Sequence, residues 1–267
     1  MPLDKRKFPG YHSPKPMKRL TRESALCVAL LLVAIRTAGI AESASPPSIV
    51  LISGEYEYDS ARTLPAFKEY LATNYGCRCI YLERTRGEEI PGLDALEKAD
   101  LAIVFVRRMT LPEEQLGKIK KFIDSGKPLI GLRTASHAFE NWKEWDRDVL
   151  GGNYHNHYGN DLTATIQVRP EAADHPILKG VENQFTAGGS LYLNAPLPAS
   201  STVLLLGSVP NRTSEPVAWT HNYKGARIFY TSLGHPKDFE NRSFRRLLVN
   251  AIYWALNRPL PPGEKSN

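Results

Sequence analysis

"GLRTASHAF", residues 131–139, is entered from the apolar run KPLIGL (127–132) and precedes a segment that reads as a helix. A small residue, a sharp turn and a helix start form the layout in which many α/β enzymes present a nucleophile at a strand end. The residue at the tip here is Arg133, not Cys or Ser. The strand–turn–helix reading sets the fold class, because a buried strand feeding a helix is the unit of a parallel sheet.

The neighbouring segments repeat that unit. SIVLIS (48–53), CRCIYLE (77–83) and DLAIVFV (100–106) read as strands, and LPAFKEYLATNY (64–75) has helical spacing at Leu64, Phe67, Leu71 and Tyr75. LPEEQLGKIKKFIDSG (111–126) has Pro112 in its first turn, Glu early, Lys late and Gly126 at its end, which are helix boundary signals. Buried strands alternating with helices predict a parallel sheet covered on both faces. Beyond Gly152 the pattern changes. LTATIQVRP (162–170), STVLLLGS (201–208), EPVAWTHNY (215–223) and ARIFYTSLG (226–234) follow one another with few helical windows, and KGA (224–226) reads as a hairpin turn. This half is expected to hold antiparallel strands. A closing helix is expected over 238–257, with Phe244, Leu247, Leu248, Ala251, Ile252 and Ala255 on one apolar stripe. The domain is read as 48–257 and residues 258–267 as a flexible tail.

The N-terminus reads as a leader. Basic MKRLTR (17–22), apolar ALCVALLLVAI (25–35) and small, polar TAGIAESA (37–44) stand in the order of a secretory signal, with cleavage expected after Ala41. The apolar run is short for a membrane span and carries Arg36 at its end, so no stable span is expected once residues 1–41 are gone. Of 34 Lys and Arg against 28 Asp and Glu, the leader holds eight and two, which leaves 26 of each. The remaining chain is neutral overall, and neither a basic block nor an RNA-type aromatic motif points to nucleic acid. Cys77 and Cys79, the remaining cysteines, point to opposite strand faces and read as ordinary strand residues.

Ligands of an open parallel sheet bind beyond the carboxyl ends of its strands. GEYEYD (54–59), RRMT (107–110), RTASH (133–137) and GHPKDF (234–239) all follow strands and are expected to meet in one cleft. Arg133 would need a partner there, either Glu55 or Glu57 or an oxygen-rich ligand, and a structural Arg–Glu pair is the plain alternative. His235 suits a general base or acid near neutral pH, oriented by Asp238, or else caps the turn. His137 either enters the cleft or satisfies local backbone groups. In LGGNYHNHYGND (150–161), Tyr154 offers a ring, and His155 and His157 share a face if the segment is extended. Those two histidines suit sugar hydroxyls. As a zinc grip they would need a third ligand such as His137 or His235, so no cofactor is required and a divalent metal is the alternative. Arg107 is expected to bind substrate. His175 and His221 read as turn and hairpin residues, Trp142 and Trp145 as packing or sugar-stacking rings, and NRT (211–213) as a glycosylation pattern common by chance.

GLRTASHAF, LGGNYHNH, DHPILKG, EPVAWT, RIFYTSLGH and FRRLLVNAIYWAL, in this order from about Ile49 to Leu256, resemble the trehalose-utilisation (ThuA-like) family. That resemblance implies a flavodoxin-like, class I glutamine amidotransferase-like three-layer sandwich. In the amidotransferases the elbow carries a Cys and a later His-Pro belongs to its triad. Arg133 matches the Cys and His235-Pro236 the His-Pro, while Lys237 stands where the triad acid would follow, with Asp238 next. Many ThuA-like proteins have a His close to the elbow where Arg133 stands. Cysteine-dependent glutamine hydrolysis is therefore not expected. The family is associated with disaccharide use in bacteria and with keto-glycosides made by a partner sugar dehydrogenase. The expectation is an exported protein acting on a small carbohydrate by acid–base chemistry through His235, Arg133, His137, Glu55 and Asp238. Glu57, Arg107, Tyr154, His155 and His157 would line the substrate side. The alternative is a non-catalytic sugar-binding module.

Overall fold

In the computed structural model, which describes residues 45–263 and Gly10, the first strands are β1 (Ser48–Gly54), β2 (Arg78–Glu83), β3 (Leu101–Val106) and β4 (Leu129–Leu132). They run parallel in the order β2-β1-β3-β4. β11 (Ala226–Thr231) joins β4 in parallel and carries β10 (Glu215–Tyr223) antiparallel on its other side. β9 (Thr202–Ser208), β6 (Thr165–Val168) and β7 (Gln184–Thr186) continue antiparallel, completing a nine-stranded sheet. The expected change of pattern in the C-terminal half therefore begins at β11, whose two edges pair in opposite senses.

Alternation along the strands builds two cores. Ile49, Leu51, Ile103, Phe105 and Phe229 face one side, where α1 (Ser60–Tyr75) and α4 (Arg242–Ala255) supply Leu64, Phe67, Leu247 and Ile252. Val50, Ile52, Val104, Ile228 and Tyr230 face the other, against Leu116, Ile119 and Ile123 of α2 (Glu113–Asp124). The central strands are apolar on both faces because both faces are covered.

Three expectations are corrected, and one element is new. The helix expected after the elbow is a single 3-10 turn, Arg133–His137, and the chain next coils as a wide π-type turn at Trp145–Leu150. The closing helix begins as α3 (Pro236–Glu240) and restarts as α4, because Asn241 is extended and its side chain caps α4 by accepting the Ser243 amide at 2.8 Å. The strand expected over 162–170 is confined to 165–168. β5 (Asn156–His157) and β8 (Tyr192–Leu193) pair as a separate ribbon that the sequence pattern did not announce.

The elbow is held from the sheet. Arg133 has φ 43°, a left-handed conformation that costs a non-glycine residue roughly 1–2 kcal/mol. Its carbonyl accepts a hydrogen bond from the buried Tyr230 hydroxyl at 2.6 Å and a longer one from Ser136 Oγ at 3.3 Å. Tyr230→Phe is expected to leave the fold intact but lower its stability by about 1–3 kcal/mol, the cost of an under-satisfied buried carbonyl. Urea unfolding of the two proteins measures this difference.

Candidate functional site

The ends of β1, β4 and β11 meet in one polar cleft of about 350 Å³, whose walls include Glu57, Tyr58, Arg133, His157, Ser190 and His235; the 107–110 cluster after β3, expected here, is not among the lining residues. After β1, the Glu55 carboxylate turns back and accepts the amides of Tyr58 and Ser60, each at 2.7 Å, at the start of α1. A carboxylate at a helix N-terminus is favourable there. With 2 % of its surface exposed, Glu55 fixes the turn and leaves Glu57 and Tyr58 to face the cleft. After β3, Arg108 takes φ 46° and its amide donates to the His137 carbonyl at 2.8 Å, while Met109 donates to Ala138. This ties the β3 end to the elbow.

Arg133 is 1 % exposed. Nη1 donates to the Ser232 carbonyl at 2.8 Å, and the fork makes contacts of 3.3–3.5 Å with Ser190. The Tyr58 and Tyr192 rings lie 4.0 and 4.7 Å from the guanidinium carbon, a cation–π arrangement. Nε–H has no partner among the described residues. Neither Glu55 nor Glu57 bonds it, contrary to expectation, because Glu55 is committed to backbone amides and Glu57 pairs with Arg107 at 2.9 Å. Gly188 and Gly189 make the enclosure feasible: a Cβ on Gly189 would stand 2.7 Å from Nη2, and one on Gly188 would stand 2.7 Å from His235 Nδ1. Sequence reasoning overlooked this Gly-Gly-Ser segment, Tyr58 and Tyr192. The adjacent glycines in TAGGSLYL (186–193) were the available signal.

His235 lies on the cleft wall, but Asp238 does not hold its imidazole. Asp238 is 3 % exposed, and its carboxylate accepts the amides of Gly188, Gly234 and His235 at 2.6–2.9 Å. The His235 Nδ1 accepts the Lys237 amide at 3.2 Å as the cap of α3. Its neutral ring therefore carries the proton on Nε2 and presents a donor. Burial lowers its pKa, Asp238 opposes the shift, and the charges of Arg133 and Lys237 add to it.

His137 stacks on Tyr154 with ring centres 4.6 Å apart, and its Nδ1 lies 3.0 Å from Ser136 Oγ. Burial, followed by the charges of Arg108, Arg107 and Arg133, pushes its pKa down to about 3. Tyr154 also packs on Tyr192 at 4.6 Å. His157 reaches the cleft wall, whereas exposed His155 is turned to the Asn153 carbonyl at 2.9 Å and is not among the lining residues. Among the described residues no three His, Cys, Asp or Glu side chains converge as a metal cage requires. Trp145 is buried and donates to the Ala135 carbonyl, and Trp142 is half-buried under Lys120, so neither ring is a free sugar platform. Asp146, unremarked in the sequence, is half-buried, its Oδ1 is buried without a partner among the described residues, and desolvation raises its pKa to about 6.

A parallel sheet with a strained strand-end elbow and a His-Pro cap beyond the last parallel strand defines a class I glutamine amidotransferase-like α/β protein. The chain belongs to the trehalose-utilisation (ThuA) family, whose profile matches residues 49–255. A thua-like protein from Parabacteroides merdae has a similar structure at TM-score 0.65 and 18% identity, over 82% of this chain and 94% of that one. Another, from Bacteroides uniformis, gives 0.63 and 19% over 81% and 94%. The cold-adapted β-galactosidase of Rahnella sp. R3 shares the fold at TM-score 0.57 and 13% identity, over 90% of this chain and 35% of the enzyme. No curated protein matches by sequence.

The state of His137 sets a pH dependence. Its folded pKa lies near 3, below the unfolded value of 6.5. Between these values the unfolded chain binds the proton and the folded chain does not, so stability is full above 6.5 and falls as pH drops toward 3. Denaturant unfolding from pH 7 to 4 should show a shallower acid loss in His137→Gln than in the parent, and NMR should show the parent imidazole neutral throughout.

Proposed function

We propose that this protein is an exported carbohydrate-processing enzyme that moves a proton on a keto-glycoside in this cleft. The carrying observation is the buried guanidinium of Arg133, bonded to carbonyl and hydroxyl oxygens rather than to a carboxylate. A fixed cation in a dry wall stabilises negative charge as it develops on a nearby oxygen. At 1 % exposure Arg133 acts by its field, not as a hydrogen-bonding fork for the substrate.

The proton-moving role shifts from His235 to Glu57. A base needs a free lone pair, and the Nδ1 lone pair of His235 is taken by the Lys237 amide. Its Nε2–H instead donates to the substrate oxygen. Glu57 lies on the same wall, half-exposed and positioned by Arg107. Its carboxylate takes the proton from the carbon beside the carbonyl, and the electron pair moves to the carbonyl oxygen under Arg133. His157 and Tyr154 contact the sugar. A partner sugar dehydrogenase would supply the keto group.

The capping role of His235 and the absence of a thiol at the elbow favour a second reading, a sugar-binding module without turnover. Proton NMR in deuterated water with keto-glycosides separates the two. The enzyme exchanges the proton beside the carbonyl, and Glu57→Gln lowers that rate by about 10²–10⁴, the usual worth of a general base. Thermal stabilisation by sugar without exchange in the parent chain establishes the module, and unchanged exchange in Glu57→Gln removes the carboxylate from the mechanism. Export is checked independently: N-terminal sequencing of the secreted chain should begin at Glu42.

A further inference from the structure

Two imidazoles line the cleft, those of His157 and His235, and their hydrogen bonds fix opposite tautomers. His235 Nδ1 accepts the Lys237 amide at 3.2 Å, which leaves the proton of the neutral ring on Nε2. His157 Nδ1 lies 2.7 Å from the Tyr158 carbonyl oxygen. A carbonyl oxygen only accepts, so this Nδ1 carries the proton and donates it. The neutral ring then keeps its lone pair on Nε2. One histidine therefore offers the cleft a donor and the other an acceptor. His155 has the tautomer of His157, through the Asn153 carbonyl at 2.9 Å, but does not line the cleft.

His157 is held in place by its strand. Its backbone pairs with Tyr192 across the β5–β8 ribbon, and the following amide, of Tyr158, donates to the Leu191 carbonyl at 2.9 Å. The His157 ring centre lies 6.3 Å from that of Tyr192, and the His235 ring centre lies 6.2 Å from that of Tyr58. Tyr192 and Tyr58 are the two rings against the Arg133 guanidinium, so donor and acceptor each sit one ring away from the buried cation. Other lining groups are less selective or already engaged. Ser190 Oγ accepts from Arg133 Nη2 at 3.3 Å, and the Asn160 amide both donates and accepts. A ketone oxygen only accepts and so matches His235, whereas a hydroxyl can give its proton and so matches His157.

We propose that His157 is a specificity-determining residue and that the cleft selects an α-hydroxyketone, a sugar with a free hydroxyl on a carbon beside the carbonyl. This rests on the keto-glycoside reading above and specifies its substrate. The carbonyl oxygen accepts from His235 Nε2–H, and the neighbouring hydroxyl donates to His157 Nε2. The second bond sets the rotation of the sugar about the first. A sugar whose hydroxyl is substituted there leaves the acceptor unmet once water is displaced, and binds more weakly.

Calorimetric titration of the protein at about pH 8, above the ordinary imidazole range, tests this. The ligands are a methyl keto-glycoside and analogues in which each hydroxyl beside the carbonyl is replaced in turn by hydrogen or by fluorine. Fluorine is close to a hydroxyl in size but cannot donate. At one of these positions either replacement should cost the parent protein about tenfold in affinity, the worth of one hydrogen bond. In His157→Ala, a change at an exposed residue, that loss should vanish. Nitrogen-15 NMR of the unliganded protein should show neutral His157 protonated on Nδ1 and His235 on Nε2. Analogues that bind the parent as tightly as the hydroxyl compound overturn the inference and leave the keto-glycoside reading standing. So does a loss that persists in His157→Ala, or a His157 ring protonated on Nε2. A keto-glycoside that neither binds nor exchanges its proton overturns both.

Discussion

A full positive charge is buried at the end of β4 without a bonded carboxylate, and the site is arranged around that constraint. Removing a guanidinium from water costs several kcal/mol unless its donors are met. Here the two terminal nitrogens are met by the Ser232 carbonyl, by Ser190 and by two tyrosine faces, while Nε–H is left without a partner among the described residues. Each of these restricts something else. Ser190 can reach the guanidinium only because Gly189 lets the backbone approach. Tyr58 can lie on it only because Glu55 folds the β1 turn. Asp238 gathers the Gly188 and Gly234 amides, fixing the spacing of the two loops that close over the cation.

Burial is the main force against charging the histidines around it, and the arginine charge adds to that force. Arg133 joins Arg107 and Arg108 in disfavouring a charged His137, and it acts likewise on His235. Two imidazoles on or near the cleft are thereby kept neutral, one stacked and one capping. In the function proposed above the cleft separates its tasks: positive charge stays on arginine, hydrogen-bond donation falls to His235, and the movable proton is assigned to Glu57. A site that asked a histidine beside three arginines to carry a further positive charge would work against its own field.

Much of the sheet was legible because strands buried on both faces are continuous apolar runs, as in SIVLIS and DLAIVFV. The strand-end clustering was legible for the same reason, since parallel strands place their carboxyl ends together. Side-chain direction was not. Glu55 and Glu57 are two residues apart and equally acidic, yet one is sealed onto backbone amides and the other faces the cleft. The turn geometry decides between them, and no periodicity encodes it. His235 and Asp238 show the same limit: their three-residue spacing fits a catalytic pair and a capping box equally well, and the backbone settled on the box. RTASHAF has no helix breaker, which is why a helix was expected after the elbow, but the carbonyls of His137 and Ala138 are claimed by the Arg108 and Met109 amides that follow β3.

The elbow carries an arginine at its tip rather than a Cys or Ser. A left-handed φ at Arg133 is a standing cost, and an arginine that only filled space would not need it. On this strained turn the side chain lies inward, against Gly189 and Ser190. A thiol placed by such a turn attacks; a guanidinium is too large and too basic for that, but its charge is delivered to the same place. The amidotransferase-like scaffold thus supplies a position rather than a reaction, and the residue at that position decides whether the turn presents an electron pair or a fixed positive field.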